Sequence, residues 1–189
     1  MKPIRQWLLR PILAYVARRH IVTAPKVIEL QQKRCIGYRI TTSFKGNRKK
    51  REIPPFYHDI YDNDKLSDLR QEGDDRMYCV FDLHENGQDF DYYVSVENRS
   101  GVEKQGCSEI TLPAGRYAQV TFMKRNHTAA AMVVGYTKCV WISANGYEER
   151  HAPTFIQYDG RFHRNYRAHG CRSGNYPGRP IAVLHIPLK

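Results

Sequence analysis

The sequence predicts an α+β protein: two βαββ halves forming a curved antiparallel sheet with two helices on one face, preceded by a separate N-terminal helix. Three observations carry this. The order strand, helix, hairpin occurs twice along the chain. Two helix starts are marked, by Ile53-Pro54-Pro55 and by Thr128, since Pro suits a first helical turn and Thr caps one. Two turns, Asn86-Gly87 and Pro113-Ala114-Gly115, adjoin runs of alternating polarity.

Residues 3–19 read as a helix with Ile4, Leu8, Ile12 and Tyr15 on one face, kinked by Pro11. Residues 26–38 alternate as a strand and run into a polar, basic loop through Asn47 and Lys50. A helix then starts at Pro54-Pro55, with Phe56, Ile60 and Tyr61 at helical spacing. Residues 65–75 read as surface helix plus loop. Residues 77–83 and 90–96 form a hairpin around Asn86-Gly87. The second half opens with a strand over 109–123, bent at Pro113-Ala114-Gly115. Its helix runs from Thr128 through Tyr136 and Val140 and closes near Gly146. Strands over 153–158 and 180–187 end the chain, joined by a basic Gly- and Arg-rich connection over 160–178.

The division expected is a basic amphipathic helix over 1–21 and one domain over 22–189. The helix is too charged and too short to span a bilayer and lacks a signal-peptide core, so no transmembrane segment is expected. The net charge of +11 is concentrated in the N-terminal tail, the run 45–51 and the stretch after Arg161, with no acid after Asp159. Such clusters offer contacts to nucleic acid or to a protein partner. Five cysteines show no Cys-x-x-Cys pairing and eight histidines no ligand spacing, so neither a metal nor a cofactor is expected. The odd thiol count without a secretory signal fits a cytoplasmic protein.

Several short motifs share an order and spacing that resemble the GyrI-like small-molecule-binding family, which includes the effector-binding domains of AraC-type and MerR-type bacterial regulators. They are Ile53-Pro54-Pro55-Phe56, the run from Asp91 to Glu97, Leu112-Pro113-Ala114-Gly115-Arg116-Tyr117, and Trp141-Ile142 followed by Asn145-Gly146-Tyr147. Pro153-x-Phe155-x-x-Tyr158 and Ile186-Pro187-Leu188-Lys189 complete the set. The resemblance covers residues 22–189. It implies a pocket between the two halves, lined by aromatics and acids, for bulky and often cationic aromatic molecules. The candidate ligand-binding residues are Tyr78, Phe81, Tyr93, Glu97, Phe122 and Trp141. One departure matters: where the family carries Glu directly after the last motif's Phe, this chain has Ile156. Glu97 is the substitute acid if its side chain faces inward.

The expected function is a stand-alone module, a sensor or sequestering protein, that binds a small aromatic or amphipathic molecule. Two alternatives stand beside it. One is a hydrolase of small electrophilic compounds, for which no nucleophile–His–acid series is in view. The other is an interaction protein binding DNA or a DNA-associated enzyme such as gyrase through the basic loops.

Overall fold

The computed structural model describes residues 3–70, 75–123, 127–159 and 181–189. The 160–178 connection lies outside them, as do the side chains of Ile4, Leu8 and Thr128. The chain runs α1 (Pro3–Arg18), β1 (Ile21–Leu30), β2 (Lys33–Ser43), α2 (Arg48–Asp62), β3 (Met77–Leu83) and β4 (Asp89–Glu97). The second half continues with β5 (Ser108–Leu112), β6 (Gly115–Met123), α3 (His127–Tyr136), β7 (Thr154–Tyr158) and β8 (Ile181–Pro187). A π-helical stretch, Thr137–Ile142, extends α3, and Gly146 closes it at φ 70°.

The eight strands form one antiparallel sheet in the order β1-β6-β8-β7-β3-β4-β2-β5. This order is unchanged when each strand is exchanged for its counterpart four places on in the chain, so the two halves are related by a pseudo-twofold axis between β7 and β3. The halves also exchange arms. β1 leaves the first half to pair with β6, and β5 leaves the second to pair with β2. Leu30 faces Gly115 and Lys33 faces Leu112, so one register runs unbroken past both corners. Each strand–corner–strand unit is thus a single bent strand, as expected for 109–123.

Two glycines make the bends possible. Gly115 sits at φ 130°, which a side chain resists, and the Arg150 guanidinium lies over it. At Gly37 an added Cβ would fall 2.2 Å from the Val94 carbonyl oxygen, so β2 and β4 approach too closely for any side chain. Pro25 is tolerated in β1 because that strand is an edge and its pairing is irregular between Thr23 and Lys26.

Both faces of the sheet are buried, by different means. One is covered by α2 and α3, whose Tyr57, Ile60, Tyr61 and Val133 join the core of Ile36, Tyr92, Ile156 and Leu184. α1 lies outside this layer, with Leu13 over Gly135 of α3 and Ala17 fully buried. Among the described residues the other face carries no helix. Ile110 and Leu112 of edge strand β5, with Ile28 and Leu30 of edge strand β1, close over Tyr78, Tyr93 and Phe155 of the central strands. A flat sheet cannot bring its edges onto its own middle, so the sheet curls about this second core.

Sequence and structure part at α2. The helix starts at Arg48, not at Pro54-Pro55, and takes in basic residues expected to form a loop. Lys and Arg are good helix formers, and they extend the helix N-terminally until the left-handed Asn47 stops it. Pro54 and Pro55 therefore fall inside the helix and cannot donate to the carbonyls of Lys50 and Arg51. Residues 65–70 form a 3-10 turn, Ser67–Leu69, anchored by buried Leu66 and Leu69.

Candidate functional site

The period of two along each strand sorts the aromatic residues onto the two faces. On the face under α2, Cys79 of β3 stands opposite Ile156 of β7 and Val94 of β4. Around this point four tyrosines converge: Tyr57 and Tyr61 from successive turns of α2, Tyr92 from β4 and Tyr158 from β7. The Tyr57 and Tyr61 rings stack with centroids 4.7 Å apart, and their hydroxyls lie 3.3 Å apart. The Tyr57 hydroxyl also meets Cys79 Sγ at 3.8 Å, and the Tyr61 hydroxyl donates to Met77 Sδ. Burial first, then the neighbouring thiol and phenols, pushes Tyr57 and Tyr92 well above the usual phenol range. The result is a cage of neutral phenols with soft sulfur atoms between α2 and the sheet.

Ile156 is 3% exposed and forms part of the cage floor, beside Cys79 and Leu184. The position where the resembled family carries its acid thus faces the four phenols, and here it is aliphatic.

The six candidate residues fall in different places. Tyr78 and Tyr93 belong to the inner core of the curl, with Cys35, Tyr117 and Phe155. Phe81, three positions after Tyr78 on the same strand, faces the opposite side and packs at 5.0 Å from the Tyr92 ring, at the edge of the cage. Phe122 is fully buried in the helix-side core. Trp141 lies in the π-helical stretch, stacked on Tyr147 at 5.7 Å, with Arg116 5.5 Å from the Tyr147 ring.

Glu97 is on the face of Tyr78 and Tyr93, with its side chain only 12% exposed. Lys33 donates to it at 3.0 Å, Arg99 at 3.2 Å and the Tyr78 hydroxyl at 3.3 Å. Burial pushes its pKa up, but the hydrogen bonds and charges of Arg99 and Lys33 outweigh this and hold it below the usual carboxylate range. It is a carboxylate already neutralised by its own protein. Deeper in this core, His185 stacks on Phe155 at 4.4 Å, and the Gln119 amide donates to its Nε2 at 3.1 Å. Burial lowers the pKa of His185 to about 4, so the ring is neutral, and burial raises the thiol of Cys35 to about 12.

Residue-level reasoning on sequence did not single out Tyr57, Tyr92 or Tyr158 as site residues. The available signal was the excess of tyrosine, thirteen against seven phenylalanines, together with the four-residue spacing of Tyr57 and Tyr61.

Residues 26–170 match the profile of a family described as integron-associated effector binding protein. The chain belongs to that family. Family membership makes it an effector-binding module, in agreement with the GyrI-like resemblance carried by its motifs. Similar folds recur in solved structures. SAV2435, solved bound to tetraphenylphosphonium, is 16% identical, with TM-score 0.66 over 88% of this chain and 94% of that one. A protein of Staphylococcus aureus is 19% identical, with TM-score 0.61 over 88% and 99%. The integron cassette protein VCH_CASS2 of Vibrio cholerae is 8% identical, with TM-score 0.56 over 88% and 97%. At these identities the likeness is one of fold. A comparison with curated proteins finds no match. No helix among the described residues is long and apolar enough to cross a membrane.

Proposed function

We propose that this effector-binding module takes a small aromatic molecule into the tyrosine cage beneath α2 and works as a sensor or sequestering protein. The observation that carries the reading is the convergence of Tyr57, Tyr61, Tyr92 and Tyr158 around the position of Ile156. A folded interior seldom gathers four phenols against sulfur atoms when apolar side chains of similar volume would pack as well. Flat π faces with hydroxyl tips suit an aromatic guest, which they bind by stacking and hydrogen bonding. The fold shared with SAV2435, solved with an aromatic phosphonium, supports the same view.

The cage is closed by α2, so a guest must displace part of that helix. α2 is suited to yield there, because Pro54 and Pro55 remove two of its backbone hydrogen bonds next to Phe56 and Tyr57. Phe81 forms the rim, and Tyr78, Tyr93 and Glu97 shape the opposite face without entering the cage. Hydrolysis would need a positioned carboxyl of tuned pKa or a nucleophile with its base. The cage residues described above are neutral phenols and a thiol, which favour binding without turnover.

The experiment is a thermal-shift screen with aromatic compounds, followed by calorimetric titration of wild type and Cys79→Trp, which puts a bulky indole at the cage floor and whose melting curve checks that it folds. A compound that raises the wild-type melting temperature and loses its binding heat in Cys79→Trp is the expected result. A screen without a shift, or binding that Cys79→Trp leaves intact, refutes the site.

A further inference from the structure

The cage is connected to the surface by a line of rings. Tyr92 lies 5.0 Å from Phe81, Phe81 lies 6.0 Å from Phe90, and Phe90 lies 4.7 Å from Phe44. Phe44 is 48% exposed, so the ladder leads from buried phenol to open solvent along the edge of α2. Its outer end is strongly basic. Lys49 Nζ stands over the Phe44 ring at 4.3 Å, Lys50 acts electrostatically on Lys49, and Lys45, Arg48 and Arg51 adjoin them in the chain. Among the described residues these five cations meet two acids: Glu52, paired with Arg48 at 2.9 Å, and Asp89, which acts on Arg48 at longer range. No acid lies in the first turn of α2. Burial, then the charge of Lys50, lowers the pKa of Lys49, as expected of an ammonium that lacks a counter-ion.

We propose that the ligand is an aromatic anion, with its rings along Phe44, Phe90 and Phe81 towards Tyr92 and its carboxylate or sulfonate held by Lys45, Lys49 and Lys50. This rests on the reading that the tyrosine cage is the binding site, and it adds the sign of the ligand's charge. Two independent features agree on that sign. The cage floor at Ile156 is aliphatic and offers a cation no carboxylate, and the basic outer end repels cations while drawing in anions. The phenol hydroxyls donate hydrogen bonds, so they also suit an acceptor-rich guest.

Two matched pairs of probes test it. Tetraphenylborate and tetraphenylphosphonium share four phenyl groups and differ in charge, and 1-naphthoate with 1-naphthamide gives a smaller anionic and neutral pair. Each is titrated calorimetrically against wild type, the triple variant Lys45→Gln, Lys49→Gln, Lys50→Gln, and Cys79→Trp, at low and high salt. Expected are an anion bound at least tenfold tighter than its partner, a gap that closes to under threefold in the triple variant and at high salt, and loss of all binding in Cys79→Trp. Equal or tighter binding of the phosphonium or the amide, or an anion preference that survives the triple variant, overturns the charge assignment and leaves the cage in place. Failure of every probe, charged or neutral, overturns the cage and this inference together.

Discussion

Restoring the acid at the cage floor tests the electrostatics of this fold directly. In Ile156→Glu a carboxyl enters a site that is 3% exposed, beside Cys79 and Leu184. Burial among Cys79, Leu184 and the core aromatic residues disfavours the charged form. The carboxyl therefore stays protonated in the folded protein at pH 7, while in the unfolded chain it ionises near pH 4.3. Holding the proton across that interval of about 2.7 pH units costs about 3.7 kcal/mol. Hydrogen bonds from the phenols recover part of this, at about 1 kcal/mol each. The expected net loss at pH 7 is about 2 kcal/mol. Its sign with pH follows from a raised folded pKa. The penalty is absent below about pH 4, grows as pH rises, and levels off above the folded pKa. Urea unfolding of variant and wild type at several pH values reads this difference. The variant should also gain affinity for tetraphenylphosphonium, since the phosphonium supplies the missing counter-charge. A variant as stable as wild type from pH 5 to 8, with no gain in phosphonium binding, would refute the view of the cage as uncharged and enclosed.

Further outcomes follow from other parts of the fold. The pKa of His185 falls to about 4 from an unfolded value near 6.5, so its contribution to stability is complete above pH 6.5 and is lost as pH falls towards 4. The loss amounts to about 3 kcal/mol, and urea titrations should show a shallower acid slope for His185→Gln; identical slopes would contradict a neutral ring in the fold. Gly37→Ala should cost about 3 kcal/mol or fail to fold, because its Cβ meets the Val94 carbonyl at 2.2 Å; a melting temperature within 2 degrees of wild type would show that β2 can move aside. Replacing both Pro54 and Pro55 by Ala should restore two α2 hydrogen bonds, raise stability by about 1–2 kcal/mol and slow ligand association in stopped-flow measurements. An unchanged association rate would mean that α2 does not yield there.

Much of the architecture was legible because it rests on local signals. The Asn86-Gly87 hairpin, the positive φ of Gly115 and the Gly146 helix stop are each encoded by one residue type with one conformational advantage. The start of α2 was not legible because proline at a first turn and proline inside a helix look alike in sequence. The helix-forming run 48–51 before the prolines and the packing of Tyr57, Ile60 and Tyr61 after them together hold the two prolines inside. The site was less legible. Tyr78 and Phe81 are neighbours on one strand and lie on opposite faces, and only the registers of β3 with β4 and β7 assign each face to a core. Tyr57 and Tyr158 are about a hundred positions apart, and no local pattern links them.

The sequence by itself determined the succession of two similar halves, the family, and the absence of an acid at Ile156, since each depends on residue identity at a fixed position. Tertiary structure alone decided that the halves exchange arms, that the sheet buries both faces, and that four tyrosines meet above Ile156. It also decided that the basic run 45–51 stands at the outer end of an aromatic ladder instead of on an unrelated surface. The physical reason is that conformational preference is local, whereas a binding site is made where distant segments pack, and packing follows from register and curvature that no single segment carries.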